Sequence, residues 1–386
     1  MVMKCDVLVV GAGPAGSSAA RACALSQADV VVVEKKASIG VPVQCAEGVG
    51  RELIRMMPMR IPRRLLKWKT KGVYFWIYGV GIPRTGGEWE GYSINRDEFD
   101  QWLAKQAVDE GAELMLASEL ISLDVSSGKV TEAEVKTPEG RVRIKPRVVI
   151  AADGVEFRVL RLLGRKVSMK GNCGYVLGYE LDGLSIEEPE FEHVFMGDFA
   201  PGGYGYLFPK SESRANVGVG MLFPKKSYLE YYREFMQLSH VRRQTTNARV
   251  VAEKSGWAPY RYMCEWVIGN VVFAGDAANQ NFKLLVEGFA PAIICGDIAG
   301  KLAAEHCSDG IDLAEYRERV MDRLGEYFRV SDKILEVSYS LMRSAKKKDL
   351  IIAGGIGAGV FSPDEVKNLR RKSESELINM IKSACD

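Results

Sequence analysis

The chain has 386 residues, of which 47% are hydrophobic and 26% charged, a balance that suits a globular protein of two or three domains. Its net charge of +2 excludes the strongly basic surface of a nucleic-acid-binding protein, so no nucleic-acid partner is expected. Eight scattered cysteines without a CxxC pair, and only three histidines, argue against a zinc site or a disulfide framework, so no metal is predicted.

The N-terminal segment predicts a dinucleotide-binding βαβ unit. A strand over residues 6–10 leads into the glycine-rich turn GAGPAG at residues 11–16, and a helix of small residues follows over 17–25. A second strand over residues 29–33 ends in Glu34. A lone GxGxxG motif is a weak signal, but strand, turn, helix, strand and acid within about 30 residues complete the fingerprint.

Each part of this turn has a physical purpose. Gly11 permits the tight turn, Gly13 lets the backbone approach a pyrophosphate, and Gly16 lets the helix pack close to the strand. The helix N-terminus directs free N–H groups and a positive dipole at the phosphates. Glu34 can accept hydrogen bonds from ribose hydroxyls and disfavours the 2′-phosphate of NADPH. The unit by itself fits either FAD or NAD.

Later segments favour FAD. Residues 148–154 form an apolar strand that closes in Asp-Gly, as expected of a cofactor-domain strand that returns after an insertion. Residues 266–273 predict a strand that runs into Gly-Asp at 275–276, and a second helix of small residues follows over 288–304. Asp276 can bind a ribityl hydroxyl while a helix N-terminus faces a phosphate. The pairing of this motif with the N-terminal unit predicts an FAD site.

The middle of the chain predicts a β-rich insertion. Alternation and turn residues indicate strands over residues 174–181, 193–196, 204–208 and 215–222. Tyr204, Tyr206 and Phe208 share one face of their strand, because side chains repeat every two residues. That face could cover an apolar slot beside the cofactor, and a plain core face is the alternative.

The remaining segments complete the predicted fold. Residues 92–99 start a helix with an acidic first turn, and the tail is helical and charged. A glycine-rich segment at 354–359 lacks a following acidic strand end, so we interpret it as flexible or as helix packing. The predicted fold class is α/β, with a Rossmann-type FAD-binding domain (1–158 and 263–310), an inserted β-rich substrate domain (159–262) and a helical C-terminal region (311–386).

The chain begins directly in a strand, without the regions of a leader, so we expect a cytoplasmic protein. The apolar run at 350–361 is about half as long as the segment needed to span a membrane. Any membrane contact is therefore expected to be peripheral, on the inner face. The lysines 346–348, after an amphipathic stretch at 327–342, could meet an anionic bilayer. A solvated helix end is the simpler interpretation.

These motifs together resemble the para-hydroxybenzoate-hydroxylase-type flavoprotein superfamily. Within it, PVQCAEG at 42–48 is similar to the PxxCxEG-like loop of the geranylgeranyl reductase family. YGYLFP at 204–209, followed by GVG at 218–220, resembles the YxWxFP…GxG segment of the same family. Family members that act on archaeal lipids are the digeranylgeranylglycerophospholipid reductases. The resemblance extends from residue 4 to about residue 345.

The resemblance implies an FAD-dependent reductase that hydrogenates isolated C=C bonds of geranylgeranyl chains in archaeal-type membrane lipids, with hydride from reduced flavin. It implies a polyprenyl lipid substrate and an external electron donor, either a ferredoxin-like protein or NAD(P)H. We expect a monomer. Two other functions stay open on the same fold, an FAD-dependent aromatic hydroxylase and a non-enzymatic escort for prenyl lipids.

The resemblance also assigns site residues. Cys45 would lie near the flavin ring, as a proton donor or a ring contact, and Glu47 would orient the loop or donate a proton through water. The expected FAD contacts are Gly11, Gly13, Pro14, Ala15, Gly16, Glu34, Lys35, Cys45, Ala46, Gly48, Arg96, Leu120, Asp153, Gly154, Gly275, Asp276, Gly288 and Phe289. The expected substrate contacts are Tyr204, Tyr206, Phe208 and Pro209.

Two departures from the family pattern affect flavin tuning and substrate identity. Tyr206 stands where the family usually has tryptophan. The stretch FKLLVEG at 282–288 replaces a Pro-x-x-Gly-Gly-Gly-like segment that normally lies along the flavin and the substrate.

Overall fold

The computed structural model describes residues 2–169, 171–260, 265–283, 286–344 and 346–384. The strands are β1 (Val2–Val10), β2 (Val30–Val33), β3 (Gly48–Gly50), β4 (Leu66–Thr70), β5 (Gly72–Ile77), β6 (Val80–Thr85), β7 (Gly91–Ile94), β8 (Glu113–Met115), β9 (Glu119–Ser126), β10 (Lys129–Thr137), β11 (Gly140–Ala151), β12 (Cys173–Asp182), β13 (Phe191–Met196), β14 (Tyr204–Pro209), β15 (Arg214–Met221), β16 (Arg249–Glu253), β17 (Gly256–Pro259), β18 (Val267–Ile268) and β19 (Val271–Phe273). The helices are α1 (Pro14–Leu25), α2 (Arg51–Met56), α3 (Arg96–Asp109), α4 (Arg158–Leu162), α5 (Tyr228–Met236), α6 (Ser239–Thr245), α7 (Phe289–Asp309), α8 (Glu315–Ser344), α9 (Lys347–Gly357), α10 (Val366–Leu369) and α11 (Glu374–Ser383). This arrangement confirms the predicted α/β class with a helical C-terminal region.

The first sheet forms the dinucleotide-binding half. Its strands follow the order β18-β19-β11-β1-β2-β8, and β10 and β9 extend from β11 as antiparallel neighbours. β1 pairs in parallel with both β2 and β11. Both faces of these strands are buried, one against α1 and α7 and the other against α4 and the β9–β10 hairpin. Burial on both faces explains why the strands are continuously apolar rather than alternating.

Small residues bring α1 and α7 into close contact. A Cβ atom on Gly296 or Gly300 of α7 would lie 2.2 Å from the backbone oxygen of Ala15 or Ala19, respectively. The Gly275 turn packs against the same end of α1, where its Cβ would lie 2.9 Å from that of Ala15. The two glycine motifs, far apart in sequence, therefore meet at one point.

The predicted strand over residues 266–273 is wrong in one respect. It consists of two short antiparallel strands, β18 and β19, joined by a turn at Gly269 and Asn270. Gly269 has a φ of +59°, a left-handed conformation that favours glycine. The Asn270 side chain accepts a hydrogen bond from the Val130 N–H at 2.7 Å, which fixes the turn against β10.

The second sheet has the order β16-β12-β15-β14-β13-β5-β6, with β17 pairing on β12. The strands predicted in the middle of the chain are confirmed as β12, β13, β14 and β15. Two further strands, β5 and β6, come from a segment that the prediction grouped with residues 1–158; β5 pairs in parallel with β13. The buried residues Val73, Phe75 and Ile77 alternate along β5, because one face of β5 packs into the same hydrophobic core as the strands of the insertion.

The C-terminal helices close the second sheet. α8 is 30 residues long, and α9 packs on β5, where a Cβ on Gly354 would lie 3.0 Å from Ile77 Cδ1. The glycine-rich segment at 354–359 is therefore used for helix packing at its start, one of the two interpretations given above. Among the described residues, no helix is both long and apolar enough to cross a membrane.

Candidate active site

A single cavity of about 730 Å³ runs between the two sheets and α7, α8 and α9. Its wall begins at Gly13 and Pro14 on α1, passes Arg96, and continues to Val194 of β13 and Ile356 of α9. The predicted cofactor site and the predicted aromatic face thus open into the same space.

Gly11 and Gly16 have the steric roles that the sequence predicts. Gly11 has a φ of +97°, and a Cβ there would lie 2.5 Å from the Ala152 oxygen. A Cβ on Gly16 would lie 1.8 Å from the Gly11 oxygen, so the helix approaches the turn closely. Gly13 differs, because no protein atom lies within 4 Å of its Cβ position. The free space beside the N-terminus of α1 is a cradle for a phosphate group.

Glu34 is held against the glycine turn by two backbone hydrogen bonds. Its Oε2 accepts a hydrogen bond from the Ala12 N–H at 2.8 Å, and its Oε1 accepts one from the Lys36 N–H at 2.9 Å. A carboxylate has further lone pairs for ribose hydroxyls. Lys35 pairs with Glu156, and the Leu120 carbonyl accepts from Arg158 Nε at 3.1 Å. Glu34, Lys35 and Leu120 lie outside the cavity wall.

The two residues of the Asp-Gly pair after β11 have different structural roles. Asp153 Oδ2 accepts a hydrogen bond from the Val159 N–H at 2.9 Å, and burial raises the pKa of Asp153 to about 6. Gly154 lines the cavity with a φ of +63°, and its Cβ position is also free of neighbours. Asp153 thus holds the chain at the start of α4, and Gly154 leaves room beside Gly13.

The second glycine motif places Asp276 in the cavity wall. Burial raises the pKa of Asp276, and the nearby Lys283 and a hydrogen bond from Asn281 oppose that rise. Lys283 Nζ donates to the side-chain oxygens of Asn279 at 2.9 Å and Asn281 at 2.8 Å. Burial lowers the pKa of Lys283 to about 8. This lysine, which the sequence analysis did not select, lies in the stretch that departs from the family pattern; Leu284 and Leu285 of that stretch lie outside the described residues.

Arg96 lies at the boundary between the two parts of the cavity. Its guanidinium donates to Asp100 from Nε at 2.9 Å and from Nη2 at 2.8 Å, and it stacks over the Phe289 ring at 4.6 Å. Gly288 caps the adjoining end of α7, where a Cβ would lie 3.3 Å from Asp276 Oδ1. The predicted contacts Arg96, Gly288 and Phe289 are therefore close neighbours in the wall.

The loop that carries Cys45 also lines the cavity. Burial raises the pKa of the Cys45 thiol, although the positive charge of Arg96 opposes that rise. The Glu47 N–H donates to Cys45 Sγ at 3.2 Å, and the Ala46 carbonyl accepts from Asn216 Nδ2 at 2.8 Å. These contacts fix the position of the thiol, and burial keeps it protonated although Arg96 and the Glu47 N–H favour the thiolate.

Glu47 is the centre of a buried ion network. Its Oε2 lies 2.6 Å from Lys210 Nζ and 3.2 Å from Lys254 Nζ, and its Oε1 accepts from the Arg96 N–H at 2.7 Å. Burial opposes the charge, but the two lysines outweigh it, so the pKa of Glu47 lies below its usual range. Glu180 completes the network at 3.4 Å from Lys210. This environment favours the orienting role for Glu47 over proton donation.

The aromatic face opens into the cavity. Tyr204, Tyr206 and Phe208 all line it, whereas Pro209 lies outside the wall and its carbonyl accepts a hydrogen bond from the Ser93 hydroxyl. Glycines make room for Tyr206, because a Cβ on Gly218 would lie 2.5 Å from the Tyr206 hydroxyl oxygen.

Three groups of wall residues are not among the contacts predicted from the sequence. Lys283 is described above. One face of α8 lines the cavity with Val330, Ile334, Ser338 and Met342, at helical spacing. The carboxylic side chain of Glu192 also lines it, and so does that of Glu287, which the sequence had offered as an alternative proton donor to Cys45. The signal for Glu192 was available, because it shares the apolar face of β13 with Val194.

Two family models match separate parts of the chain. The model described as "FAD dependent oxidoreductase" matches residues 6–155, which include the glycine turn and Glu34. The model described as "Geranylgeranyl reductase catalytic domain" matches residues 175–256, which include the aromatic face.

The chain is similar to several archaeal reductase sequences over most of its length. It is 35% identical over 344 residues to digeranylgeranylglycerophospholipid reductase 2 of Methanopyrus kandleri, covering 84% of this chain and 83% of that protein. It is 33% identical to the corresponding reductase of Methanothrix thermoacetophila, covering 90% and 93% of the two chains. A solved geranylgeranyl bacteriochlorophyll reductase-like protein from Thermoplasma acidophilum superposes with a TM-score of 0.76 at 23% identity over the whole of both chains, a likeness of fold.

FAD is the cofactor of this chain, as the match over residues 6–155 and the glycine turn agree. The residues present fit the group, because Gly13 and Gly154 leave free space beside the N-terminus of α1. From there the cavity continues past Asp276 to Arg96 and the Cys45 loop. Which of the wall residues contact FAD stays a prediction.

The Gly13→Val variant should fold but lose FAD. Gly13 has an ordinary φ of −72° and no neighbours at its Cβ position, so valine is compatible with the apoprotein and blocks only the phosphate cradle. Gly16→Val is the matched comparison, because its side chain would collide with the Gly11 backbone and prevent folding. Flavin absorbance after purification and circular-dichroism melting check both. A flavin-replete Gly13→Val protein would contradict the assignment.

Proposed function

Because the chain belongs to the digeranylgeranylglycerophospholipid reductase family, we propose that it hydrogenates isolated C=C bonds in the geranylgeranyl chains of archaeal-type glycerophospholipids. The observation that carries this proposal is the continuity of the cavity. The FAD end opens directly into a slot walled by the aromatic face of β14 and the apolar face of α8. A long prenyl chain needs such a slot if its bonds are to reach the flavin in turn.

The chain's own residues would orient the alkene and exclude water. Val194 and Met196 of β13 face Ile334 and Met342 of α8 across the slot, so the wall around a bound chain is mostly apolar. Reduced FAD supplies the hydride when it is bound. The second hydrogen must arrive as a proton, which requires an acid in an otherwise apolar wall.

Two alternatives remain as competing functions. An FAD-dependent aromatic hydroxylase would also use a flavin beside a closed cavity, but it consumes oxygen. A non-enzymatic escort would hold a prenyl lipid without consuming electrons. The long apolar slot favours a prenyl ligand over a compact aromatic ring, and the FAD-binding features favour an enzyme over an escort.

We also propose that the electrons come from an external donor, either a ferredoxin-like protein or NAD(P)H. The acid-terminated glycine fingerprint at residues 11–34 is taken by FAD. The second glycine-rich segment begins inside α9, which lacks the preceding strand of a nicotinamide site.

Peripheral membrane contact is proposed at the mouth of the cavity. Trp257, Val286 and Val330 line the cavity and are 41%, 39% and 53% exposed, an unusual set for a soluble surface. A tryptophan with an apolar body and a polar edge suits a membrane interface. The lysines at 346–348 are less available, because Lys347 pairs with Glu374 and Lys348 donates to the Arg370 carbonyl.

Anaerobic turnover tests the main proposal. Photoreduced enzyme should be reoxidised by a digeranylgeranyl glycerophospholipid without oxygen, and mass spectrometry should show two hydrogens gained for each bond reduced. A saturated phytanyl lipid serves as the control and should leave the flavin reduced. Reoxidation that requires oxygen would favour the hydroxylase, and lipid binding without reoxidation would favour the escort. Adding NADPH or reduced ferredoxin to oxidised enzyme then identifies the donor.

Ser338→Leu should block the slot. Ser338 is buried in the wall and its hydroxyl lacks a partner among the described residues, so leucine adds volume where the chain must pass. We expect at least a tenfold loss of turnover with geranylgeranyl lipid, less loss with a shorter geranyl lipid, and normal FAD content. The exposed Ser340→Leu on the same helix is the matched control. Equal turnover by both variants would show that the prenyl chain does not pass Ser338.

Flotation with liposomes distinguishes membrane contact through the apolar residues at the mouth of the cavity from contact through the lysines. Replacing Trp257 and Val330 by serine should reduce binding in both low and high salt, because apolar insertion is not screened. Replacing Lys346, Lys347 and Lys348 by glutamine should remove only the salt-sensitive part. Binding unchanged by the serine variant would exclude the mouth as the contact.

A further inference from the structure

Two half-buried carboxylic side chains line the cavity outside the network of Glu47. Glu192 lies on β13, where it shares the cavity-facing side of the strand with Val194 and Met196. Glu287 immediately precedes Gly288 at the start of α7. The proposed function does not yet use either residue, and both lie at the FAD end of the slot.

Glu192 has a polar atom without a partner. Its Oε1 is buried and has no hydrogen-bond partner among the described residues. The same oxygen would lie 2.5 Å from a Cβ on Gly48, so the carboxyl group reaches from the sheet to the Cys45 loop. Burial raises the pKa of Glu192 to about 8, and the negative charge of Glu287 adds to that rise. Glu192 therefore stays protonated at neutral pH.

Glu287 has a different environment. Its Oε1 accepts a hydrogen bond from the Ala290 N–H at 3.1 Å, in the first turn of α7, where the helix dipole favours a negative charge. Burial raises the pKa of Glu287 to about 7, and the backbone N–H groups and Arg96 limit that rise. The two carboxyl groups therefore differ in proton affinity, and the negative charge of Glu287 favours the protonated form of Glu192.

The backbone before Glu287 is held in an unusual conformation. Val286 has a φ of +55°, a left-handed value that glycine adopts freely and that a β-branched residue adopts only at a cost. This strained residue immediately precedes Glu287, so the fold maintains a costly backbone conformation beside the cavity.

We propose that Glu192 donates a proton to the alkene carbon that does not receive the hydride and that Glu287 assists its reprotonation. This inference rests on the proposed function. The hydride, a proton with two electrons that bound reduced FAD would supply, forms a C–H bond at one carbon as the π bond breaks. The O–H bond of Glu192 breaks as a second C–H bond forms, and Glu287 returns a proton taken from solvent at the mouth.

The surrounding groups are consistent with this assignment. The Cys45 thiol is buried beside Arg96 and the Glu47 backbone, so it gives up its proton less readily than Glu192. Glu47 is a carboxylate paired with Lys210 and Lys254, so it has no proton to donate. The titratable groups around the pair are Cys45, Glu47, Arg96, Tyr204, Lys254, Asp276 and Lys283. Cys45 then serves as a wall residue, and its replacement by serine should change turnover only a fewfold.

Single-turnover reoxidation by a geranylgeranyl lipid tests the donor. Glu192→Gln should slow it by about 100-fold or more, the usual contribution of a positioned acid, and Glu287→Gln should slow it less. The wild-type rate should fall as the pH rises through the apparent pKa of the pair, and Glu192→Gln should lose this limb. Glu192→Asp should restore part of the rate. The exposed Glu253→Gln is the control.

Two readouts do not depend on turnover. The FAD-free wild type should show an infrared band of a protonated carboxyl group at neutral pH, and Glu192→Gln should lose it. A group whose folded pKa exceeds its unfolded value stabilises the fold at low pH, and that contribution is lost as the pH rises through about 8. Glu192→Gln should therefore melt above the wild type at pH about 9, by a few degrees.

The outcomes separate the two proposals. Wild-type reoxidation rates and an unchanged pH profile in Glu192→Gln would overturn the donor role while leaving the reductase function intact. Failure of the wild type itself to be reoxidised would overturn the reductase function, and the donor role with it. If Glu192→Gln does not fold, Glu192→Asp replaces it in the test. The proposal is also overturned if the FAD-free wild type shows no infrared band of a protonated carboxyl group although the wild-type enzyme reduces the lipid at its normal rate.

Discussion

The buried ion network at Glu47 is the interaction on which the arrangement of the site depends. One carboxylate engages the backbone of Arg96 at the start of α3 and the side chains of Lys210 and Lys254 from the second sheet. It therefore fastens the Cys45 loop simultaneously to the FAD-binding half and to the β-rich insertion. A buried charge is expensive unless it is paired, so the position of this loop cannot change without leaving a lysine or a carboxylate unpaired. Glu47 itself adopts a left-handed φ of +68°, which shows how tightly these partners constrain the backbone.

The consequence is a cavity whose two ends have opposite chemistry. At the FAD end, Arg96 and the N-terminus of α1 supply positive potential for an anionic cofactor. Beyond the aromatic face, the wall of α8 and β13 is mostly apolar, so it offers water few hydrogen-bonding partners and shields a prenyl chain from water. The network of Glu47 neutralises its own charges internally. Glu192 Oε1 lacks such a partner among the described residues, whereas Glu287 accepts a hydrogen bond from the Ala290 N–H, so the two carboxyl groups differ in proton affinity.

Local patterns were sufficient for the cofactor half of the fold. The glycine turn, the apolar strands and Glu34 lie within one short segment, and each has a steric or hydrogen-bonding reason that depends only on neighbours in sequence. The same holds for the strands from β12 to β15, whose alternation reflects one buried face. The pattern misjudged the segment from Trp266 to Phe273, because the turn at Gly269 is fixed by a distant contact with β10. It also gave no reason to pair β5 with β13, since strand pairing across a long insertion leaves no local signal.

The sequence by itself therefore determined the class of fold, the cofactor and the family, because those depend on short motifs with strict steric requirements. It selected Cys45 and Glu47 as candidates but could not distinguish a proton donor from a charge held by two lysines, since Lys210 and Lys254 lie far along the chain. Only the tertiary structure brought Glu192 next to Gly48 and Glu287 into the same wall. The physical reason is that proton affinity depends on burial and on charges close in space, and neither quantity can be deduced from the spacing of residues along the chain.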